Sequence, residues 1–209
     1  HTVLLDEATA KARLRGAGIA VPDGRLVRSA DDVPDAAAAI GYPVTLKALG
    51  LAHKSEAGAV KVGLADHDAL TAALTAMPAS AVGYLVEATV TDVVAEVLVA
   101  VRRDHPVGWL VTLGHGGVAT EVWNDVTHLL APVTHADVVG MIGRLRSAPL
   151  LHGFRGRPPA DVDALADLVV RLADHVVGSG VVEAELNPVL VGRHGAVAVD
   201  ALLTLETQP

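Results

Sequence analysis

The chain has 209 residues, of which 51% are hydrophobic, 2% are aromatic and none is cysteine, and its formal net charge at pH 7 is −8. A chain of this length can bury a sizeable core as one large domain or two small lobes. Its negative charge and few aromatic side chains argue against a nucleic-acid partner. Because the chain has no cysteine, it has no disulfide framework and no thiolate zinc site. No signal peptide and no apolar run long enough to span a bilayer is visible, so we expect a cytoplasmic protein with no membrane partner.

The first half of the chain alternates predicted helices and strands. Apolar and small residues recur at helical spacing from Leu5 to Ala17. A second helix is predicted at 36–40, with Asp31 and Asp32 as its capping residues. The other predicted elements before residue 90 are a helix at 66–77 and strands at 24–29, 43–48, 59–64 and 82–87.

The second half begins with two long predicted strands. The predicted elements are strands at 93–102 and 107–113, a glycine-rich loop at 114–117, a strand through Trp123, helices at about 134–146 and 160–177, and a hairpin at 181–201. Helices mixed with largely antiparallel hairpins indicate an α+β fold in two lobes. We place the lobes at residues 1–86 and 87–209.

Three oxygen-bearing side chains could converge on the C-terminal hairpin. A tight glycine turn would pair Val191 with Ala196, and counting back sets Asn187 opposite Asp200. Glu185 lies two residues before Asn187, so both side chains leave the same face of the strand. Oxygen ligands at this spacing suit Mg²⁺. Two plainer interpretations stay open: polar side chains facing water at a sheet edge, or an asparagine that only shapes a turn before the next residue, a proline.

Several cationic residues are candidates for phosphate chemistry. Lys47 lies on a predicted strand just before a glycine-containing loop, where its ammonium could meet a phosphate, and Lys54 adds a second charge in that loop. His53 could act as a base or accept a phosphoryl group, because imidazole is a competent nucleophile. Arg155 is flanked by glycines at positions 153 and 156 and could anchor a loop or contact a phosphate. Each of them could also be a solvated side chain.

Glycines and acidic residues could complete a nucleotide site. Gly114, Gly116 and Gly117 leave backbone N–H groups free to approach an anion, although the same pattern occurs in plain turns. No Walker A motif is present, which excludes a P-loop NTPase at the motif level. Glu87 and Glu96 bracket the junction between the predicted lobes and could accept hydrogen bonds from ribose hydroxyls, or could be surface charges.

The order of these motifs along the chain is more specific than any one of them. They are PVTLKA at 43–48, HKSEAGAVKVGL at 53–64, LVEATV at 85–90, AEVLVAVRRD at 95–104, LGHGGVATEVWND at 113–125, HGFRGRPPAD at 152–161, ELNPVLV at 185–191 and VAVDA at 197–201. Together they resemble the ATP-grasp domain of the ADP-forming (NDP-forming) acyl-CoA synthetases, relatives of the succinyl-CoA synthetase β subunit. The resemblance runs from about Asp6 to Leu203.

This resemblance implies an ATP-grasp fold, with the nucleotide cleft between two α+β lobes, and ATP or ADP with Mg²⁺ as cofactors. It implies that Lys47 binds the nucleotide phosphates and that Glu96 binds the ribose. Residues Val86, Glu87 and Ala88 would form the hinge on which adenine rests.

The remaining implied roles concern the metal and the phosphoryl group. Asn187 and Asp200 would be the Mg²⁺ ligands, with Glu185 beside them. His53 matches a family histidine that carries a phosphoryl group in some members, and Lys54 follows it in the same motif. The loop of Gly114, Gly116 and Gly117 would lie over the phosphates, and Arg155 matches the family's RG motif.

The implied reaction converts acyl-CoA, phosphate and ADP into carboxylic acid, CoA and ATP, with histidine carrying the phosphoryl group. The family also needs a CoA-binding and ligase subunit or domain with a second catalytic histidine, for which 209 residues leave no room. We therefore expect one subunit, or an excised domain of a fused enzyme. The start of the chain at His1 instead of Met predicts a fragment, a processed product or a tag remnant. A homo-oligomer is left open. The alternatives are a non-catalytic nucleotide-sensing or scaffold domain, and an ATP-grasp carboxylate–amine ligase, which would lack the HKSE stretch.

Overall fold

Two antiparallel sheets organise the chain, and each belongs to its own compact unit. The computed structural model describes residues 1–50, 58–117 and 124–206. His1–Val21 and Asp92–Pro209 form one unit, below called the terminal unit, and Pro22–Thr91 form the other, the inserted unit. The first 21 residues thus pack with the C-terminal sheet, whereas the predicted lobes at 1–86 and 87–209 assigned them to the N-terminal lobe.

The sheet of the terminal unit is seven-stranded. Its order is β1-β11-β9-β6-β7-β8, with β10 also paired to β9. The strands are β1 (Thr2–Leu4), β6 (Ala95–Asp104), β7 (Gly108–His115), β8 (Val126–Leu130), β9 (Val181–Val191), β10 (Ala196–Ala198) and β11 (Leu202–Glu206). The helices of this unit are α1 (Glu7–Gly16), α4 (His135–Arg144), α5 (Ala148–Leu151) and α6 (Val162–Gly178), with a 3₁₀ turn at Phe154–Gly156.

The inserted unit has a four-stranded sheet in the order β2-β5-β3-β4. The strands are β2 (Gly24–Val27), β3 (Val44–Ala48), β4 (Val60–Leu64) and β5 (Tyr84–Ala88). The helices are α2 (Val33–Ile40) and α3 (His67–Ala76), with a 3₁₀ turn at Ala30–Asp32. Their apolar faces and the sheet enclose a separate core that includes Leu46, Leu70 and Val86.

Helix α6 shows how the sequence dictates the packing of the terminal unit. The Asp161 side chain caps it by accepting a hydrogen bond from the Ala164 N–H at 3.0 Å. Leu165, Leu168 and Leu172 recur at helical spacing and are buried in the core beneath the sheet. Their burial fixes the helix against β6 and β9, the strands that carry the candidate residues Glu96, Glu185 and Asn187.

The α+β class is confirmed, but several local expectations change. The Asp32 side chain makes no capping hydrogen bond to α2; instead Ser29 accepts from the Asp31 N–H at 3.2 Å and caps the 3₁₀ turn. Strands β1, β8 and β11 have no counterpart among the predictions, and the strand expected through Trp123 lies outside the described residues. In the described part of the chain, no helix has the length and apolar character that crossing a bilayer needs.

Candidate functional site

A buried ion pair lies at the centre of the inserted unit's sheet. Lys47 on β3 is 5% exposed and Glu87 on the neighbouring β5 is 2% exposed. The Lys47 Nζ is 3.1 Å from Glu87 Oε2. Glu87 pairs directly with Thr45, so Lys47, two residues along β3, reaches it diagonally on the same face of the sheet. The carboxylate thus fixes the position of an ammonium group for which the sequence predicts contact with a phosphate.

The strand β2 leaves room for this carboxylate. Gly24 pairs with Glu87, and a Cβ on Gly24 would lie 3.0 Å from the Glu87 Cγ. Val86, predicted as part of the adenine hinge, is fully buried, and its backbone pairs with strands on both sides. Ala88 is half-buried at the end of β5, where its N–H donates to the Asp23 carbonyl at 2.8 Å. The three predicted hinge residues therefore occupy one central strand of the inserted unit.

The C-terminal hairpin has the register that the sequence predicts. Ala196 pairs with Val191, and the same register resumes beyond the hairpin in the β9–β11 ladder. Counting inward from either ladder sets Asp200 opposite Asn187. The β9 strand continues without a turn through Pro188 and lies between two strands, so neither plainer interpretation of Asn187 describes its place.

A local irregularity separates Asn187 from regular strand pairing. The β6–β9 register shifts between Val97 and Val99, so Asn187 and Pro188 together face the single residue Leu98. Proline has no N–H to donate to a ladder, which suits it to such a bulge.

The glycine loop lies directly against this part of β9. The Gly117 N–H donates to the Asn187 Oδ1 at 2.9 Å, and the Gly116 N–H donates to the Glu96 carbonyl at 2.9 Å. A Cβ on Gly116 would lie 2.6 Å from the Val97 carbonyl carbon, so only glycine fits there without displacing β6. A Cβ on Gly117 would collide with the Glu96 carboxylate. Four residues predicted separately are thus brought together. The expectation that the N–H groups of Gly116 and Gly117 are free to meet an anion is wrong for this structure, because both donate hydrogen bonds within the protein.

At Gly114, on the other side of the loop, the neighbouring chain also lies too close for a side chain. A Cβ there would lie 2.9 Å from the carbonyl oxygen of Asp125, the residue before β8. Asp125 is buried, and its carboxylate accepts hydrogen bonds from the N–H groups of Arg146 and Ser147, both at 2.8 Å. Burial acts to raise the pKa of Asp125, but these hydrogen bonds outweigh it and leave the pKa lowered. This carboxylate therefore ties the β8 side of the glycine loop to the helical layer.

The acidic residues of the hairpin repel one another. Burial raises the pKa of Glu185, and the negative charges of Glu183 and Asp200 raise it further. Asn187 and Asp200 are both half-buried. A divalent cation would relieve this repulsion, so the donor set fits Mg²⁺ with two protein oxygens and further ligands from phosphate or water. Within the described ranges, no group of three or more His, Cys, Asp or Glu residues is arranged to hold a metal without such help.

The other predicted residues are less closely integrated. Arg155 is exposed, has a left-handed backbone conformation with φ of 52°, and its guanidinium lies 5.2 Å from the centre of the Phe154 ring. Glu96 has an exposed side chain. His53 and Lys54 lie outside the described residues.

Sequence patterns missed one buried cation near the hairpin. Lys11, on α1, donates to the Val199 carbonyl at 2.7 Å, next to Asp200. Its spacing of four residues from Glu7 is the usual signature of an exposed helical ion pair, so the sequence contained no signal that this lysine is buried.

Comparison with known proteins identifies the family. A model described as an ATP-grasp domain matches residues 1–205. The chain belongs to the ATP-grasp domain family. The β subunit of acetate–CoA ligase (ADP-forming) I from Pyrococcus furiosus is 32% identical over 212 residues, which are 96% of this chain and 91% of that subunit. The chain is therefore homologous to the ATP-grasp part of ADP-forming acyl-CoA synthetases, as the sequence motifs predicted.

Two further relatives extend this comparison. A single-chain acetate–CoA ligase (ADP-forming) I from Archaeoglobus fulgidus is 34% identical across 92% of this chain, which spans only 30% of that longer protein. The solved structure of acetyl-coenzyme A synthetase 1 from Ca. Korarchaeum cryptofilum, in complex with coenzyme A and Ca-AMPCP, superposes with a TM-score of 0.88 at 32% identity, covering 97% of this chain and 93% of the other. A second complex of that synthetase contains Mg-AMPPCP, with its phosphohistidine segment pointing towards the nucleotide-binding site. The predicted ATP-grasp fold is confirmed.

Proposed function

We propose that this chain binds Mg²⁺ with ADP or ATP and passes a phosphoryl group between a phosphohistidine and the nucleotide, as the ATP-grasp component of an ADP-forming acyl-CoA synthetase. The observation that carries this proposal is the 32% identity over 91% of a β subunit of such a ligase. In the overall reaction, acyl-CoA, phosphate and ADP give carboxylate, CoA and ATP, so one phosphoryl group passes from phosphate to ADP and no oxidant is needed.

The residue roles follow from charge and position. Lys47, held by Glu87 at 3.1 Å, neutralises nucleotide phosphate oxygens, since phosphoryl transfer depends mainly on positioning and charge neutralisation. Asn187 and Asp200 ligate Mg²⁺, and Glu185 supports that site. When bound, the metal neutralises charge on the phosphate oxygens.

The remaining roles stay with the family motifs. Glu96 binds the ribose, Val86 to Ala88 receive the adenine, and the loop from Gly114 to Gly117 lies over the phosphates. The N–H groups of Gly116 and Gly117 hold this loop against β6 and β9, so the proposed role of the loop is to cover the phosphates and not to donate these two N–H groups to them. His53 is the proposed phosphoryl carrier, with Lys54 next to it, and Arg155 is the proposed contact for the transferred group.

The partner is a CoA-binding and ligase component, as a separate subunit or as a domain of the same protein. The single-chain relative from Archaeoglobus fulgidus, of which this chain matches 30%, supports a domain of the same protein, and the β subunit from Pyrococcus furiosus supports a separate subunit. Acyl selectivity would reside in that component. A cytoplasmic location is part of the same proposal, because CoA, ADP and ATP are its substrates.

Titration calorimetry of ADP at stepped Mg²⁺ concentrations tests the binding proposal. The wild type should bind ADP with an affinity that rises with Mg²⁺, and the double variant Asn187→Ala with Asp200→Ala should lose that dependence. Asp167→Ala, which removes an exposed carboxylate from α6, is the matched control and should behave as wild type. Binding that is insensitive to Mg²⁺ in all three proteins would indicate a nucleotide-sensing or scaffold domain.

Phosphoryl transfer is tested separately with γ-labelled ATP. Acid-labile label should appear on the wild type and be absent from His53→Asn, while both proteins keep the same affinity for Mg-ADP. Label that persists on His53→Asn would remove this histidine as the carrier, and binding without any label, even with the partner present, would favour the scaffold.

A further inference from the structure

The segment that contains Asp200 is held in place by the first 21 residues of the chain. Residues 199–201 connect β10 to β11 and lie outside both strands. On one side of them, the Ala198 N–H donates to the Ala20 carbonyl at 2.9 Å. On the other side, the Leu5 N–H donates to the Leu203 carbonyl at 2.9 Å. The position of Asp200 therefore depends on α1 and its flanking residues as well as on the hairpin.

Between these two contacts, the Lys11 side chain bonds the backbone next to Asp200. Lys11 Nζ donates to the Val199 carbonyl at 2.7 Å, a short, charge-assisted hydrogen bond. Lys11 is 4% exposed, as is Glu7, whose Oε1 lies 3.0 Å from the same Nζ. Burying two charges carries a large desolvation cost, and solvent-exposed side chains could stabilise α1 without it. The pair places an ammonium group at one defined point, beside the peptide of Asp200.

We infer that Lys11 is a positioning residue for the Mg²⁺ site: it fixes the Val199–Asp200 peptide and thereby the carboxylate that ligates the metal. This inference rests on the proposed function, which assigns Asp200 as a ligand. Groups that orient metal ligands typically change metal affinity by about 10–100-fold when they are removed. Glu7 contributes by holding the ammonium, and neither residue needs to touch the metal or the nucleotide.

The chain offers a matched control on the same helix. Arg13, two residues after Lys11, also donates from α1 to a backbone carbonyl, that of Ser179 at 2.8 Å. Ser179 ends α6 just before β9, and it lies outside residues 199–201, the segment that Lys11 contacts. If cation-to-carbonyl contacts from α1 only stabilise the fold, Arg13→Met and a Lys11 variant should have the same consequences for metal binding.

The test uses the double variant Glu7→Leu with Lys11→Met, because Lys11→Met alone removes an ammonium group 3.0 Å from a buried carboxylate and could unfold the protein. Calorimetric titration of ADP at stepped Mg²⁺ gives two quantities: the half-saturating Mg²⁺ concentration and the ADP affinity at saturating Mg²⁺. We expect the double variant to raise the first about tenfold and to leave the second within about twofold of wild type. Arg13→Met should leave both unchanged, and thermal unfolding establishes that each variant is folded at the assay temperature.

Asp200→Asn separates failure of this inference from failure of the proposed function. If Asp200→Asn raises the half-saturating Mg²⁺ concentration and the Glu7 and Lys11 double variant does not, the positioning role is overturned and the metal site stands. If Asp200→Asn has no effect, the metal assignment itself is overturned.

A measurement on the wild-type protein covers the case in which the double variant does not fold. The side-chain ¹⁵N resonance of the buried Lys11 ammonium, assigned through its own side-chain carbons, should shift when Mg²⁺ is added to the ADP complex. An unchanged resonance overturns the inference.

Discussion

Replacing Lys47 by methionine should both destabilise the inserted unit and abolish nucleotide binding. Lys47 and Glu87 are 5% and 2% exposed, and their charged atoms are 3.1 Å apart. Methionine has a similar volume but no charge, so the substitution removes the cation from a buried carboxylate. Breaking a buried ion pair in this way costs about 3–5 kcal/mol of unfolding free energy, against about 0–1 kcal/mol for an exposed pair. The burial of both partners places Lys47→Met in the higher range.

The double variant Lys47→Met with Glu87→Met should separate stability from binding. When apolar side chains of similar volume replace both charges, the change is often neutral or stabilising, so we expect stability within about 1 kcal/mol of wild type or above it. Nucleotide binding should stay lost, because the phosphate oxygens need the ammonium.

The aromatic residues allow the two units to be followed separately. Both tyrosines, Tyr42 and Tyr84, belong to the inserted unit, whereas both tryptophans follow residue 91. Urea unfolding monitored by tyrosine second-derivative absorbance therefore reports the inserted unit, and tryptophan fluorescence reports the terminal unit. Titration calorimetry with Mg-ADP measures binding of the same samples.

An exposed ion pair provides the control. Glu206 accepts two hydrogen bonds from Arg103, at 2.7 and 2.8 Å, in the terminal unit. Glu206→Gln should lower stability less than Lys47→Met, and only in the tryptophan signal, with unchanged ADP binding. The reasoning would be refuted if Lys47→Met were as stable as wild type, or if adding Glu87→Met gave no recovery. ADP binding retained by either Lys47 variant would remove this lysine from the nucleotide site.

Two further predictions concern the terminal unit. Glu185→Gln should raise the Tm at pH 7 in EDTA but not at pH 4. The pKa of Glu185 is raised in the folded protein, so wild-type stability falls as pH rises from the ordinary glutamate pKa through the raised pKa, and glutamine removes that loss. If the Tm of the two proteins changed with pH in parallel, this prediction would be contradicted. Gly116→Ala should cost about 1–3 kcal/mol in urea unfolding and weaken Mg-ADP binding, since its Cβ would lie 2.6 Å from the Val97 carbonyl carbon. Gly143→Ala, at an exposed position of α4 with no atom within 4 Å, should instead stabilise by about 0.5–1 kcal/mol, and equal losses from the two substitutions would refute the steric argument.

The hairpin could be predicted because its information is local. A glycine turn fixes which residues pair, and alternation along the strand then determines which side chains share a face. The pairing of Val191 with Ala196 and the register that sets Asn187 opposite Asp200 follow from these two rules. The contact from Gly117 to Asn187 does not, because it joins residues 70 positions apart through the β6–β9 bulge.

Lys47 was identified from the sequence, but the ion pair that fixes it was not. The sequence made Glu87 a candidate for ribose contacts because it lies at the predicted lobe junction, and the family resemblance implied a place in the adenine hinge. Its register against Thr45 also makes it a diagonal neighbour of Lys47, and that register depends on which strands are adjacent in the sheet. The spatial order of the four strands, β2-β5-β3-β4, differs from their order in the sequence and cannot be derived from hydrophobic periodicity.

The N-terminal segment shows the same limit from the opposite direction. Read locally, Glu7 and Lys11 are a common surface pair on an amphipathic helix, and Thr2 to Leu4 have no strand signal. Both features depend on contacts with residues near the C-terminus. The strand β1 pairs with β11, and Lys11 donates a hydrogen bond to the carbonyl of Val199, 188 residues away. Burying Lys11 costs desolvation free energy, but the contact with Val199 makes it a fixed hydrogen-bond donor beside Asp200, the proposed metal ligand. The backbone beside Asp200 is therefore held by a residue near the other end of the chain. If Asp200 is a metal ligand, as proposed, we expect variants of α1 to alter Mg²⁺ dependence without changing any ligand.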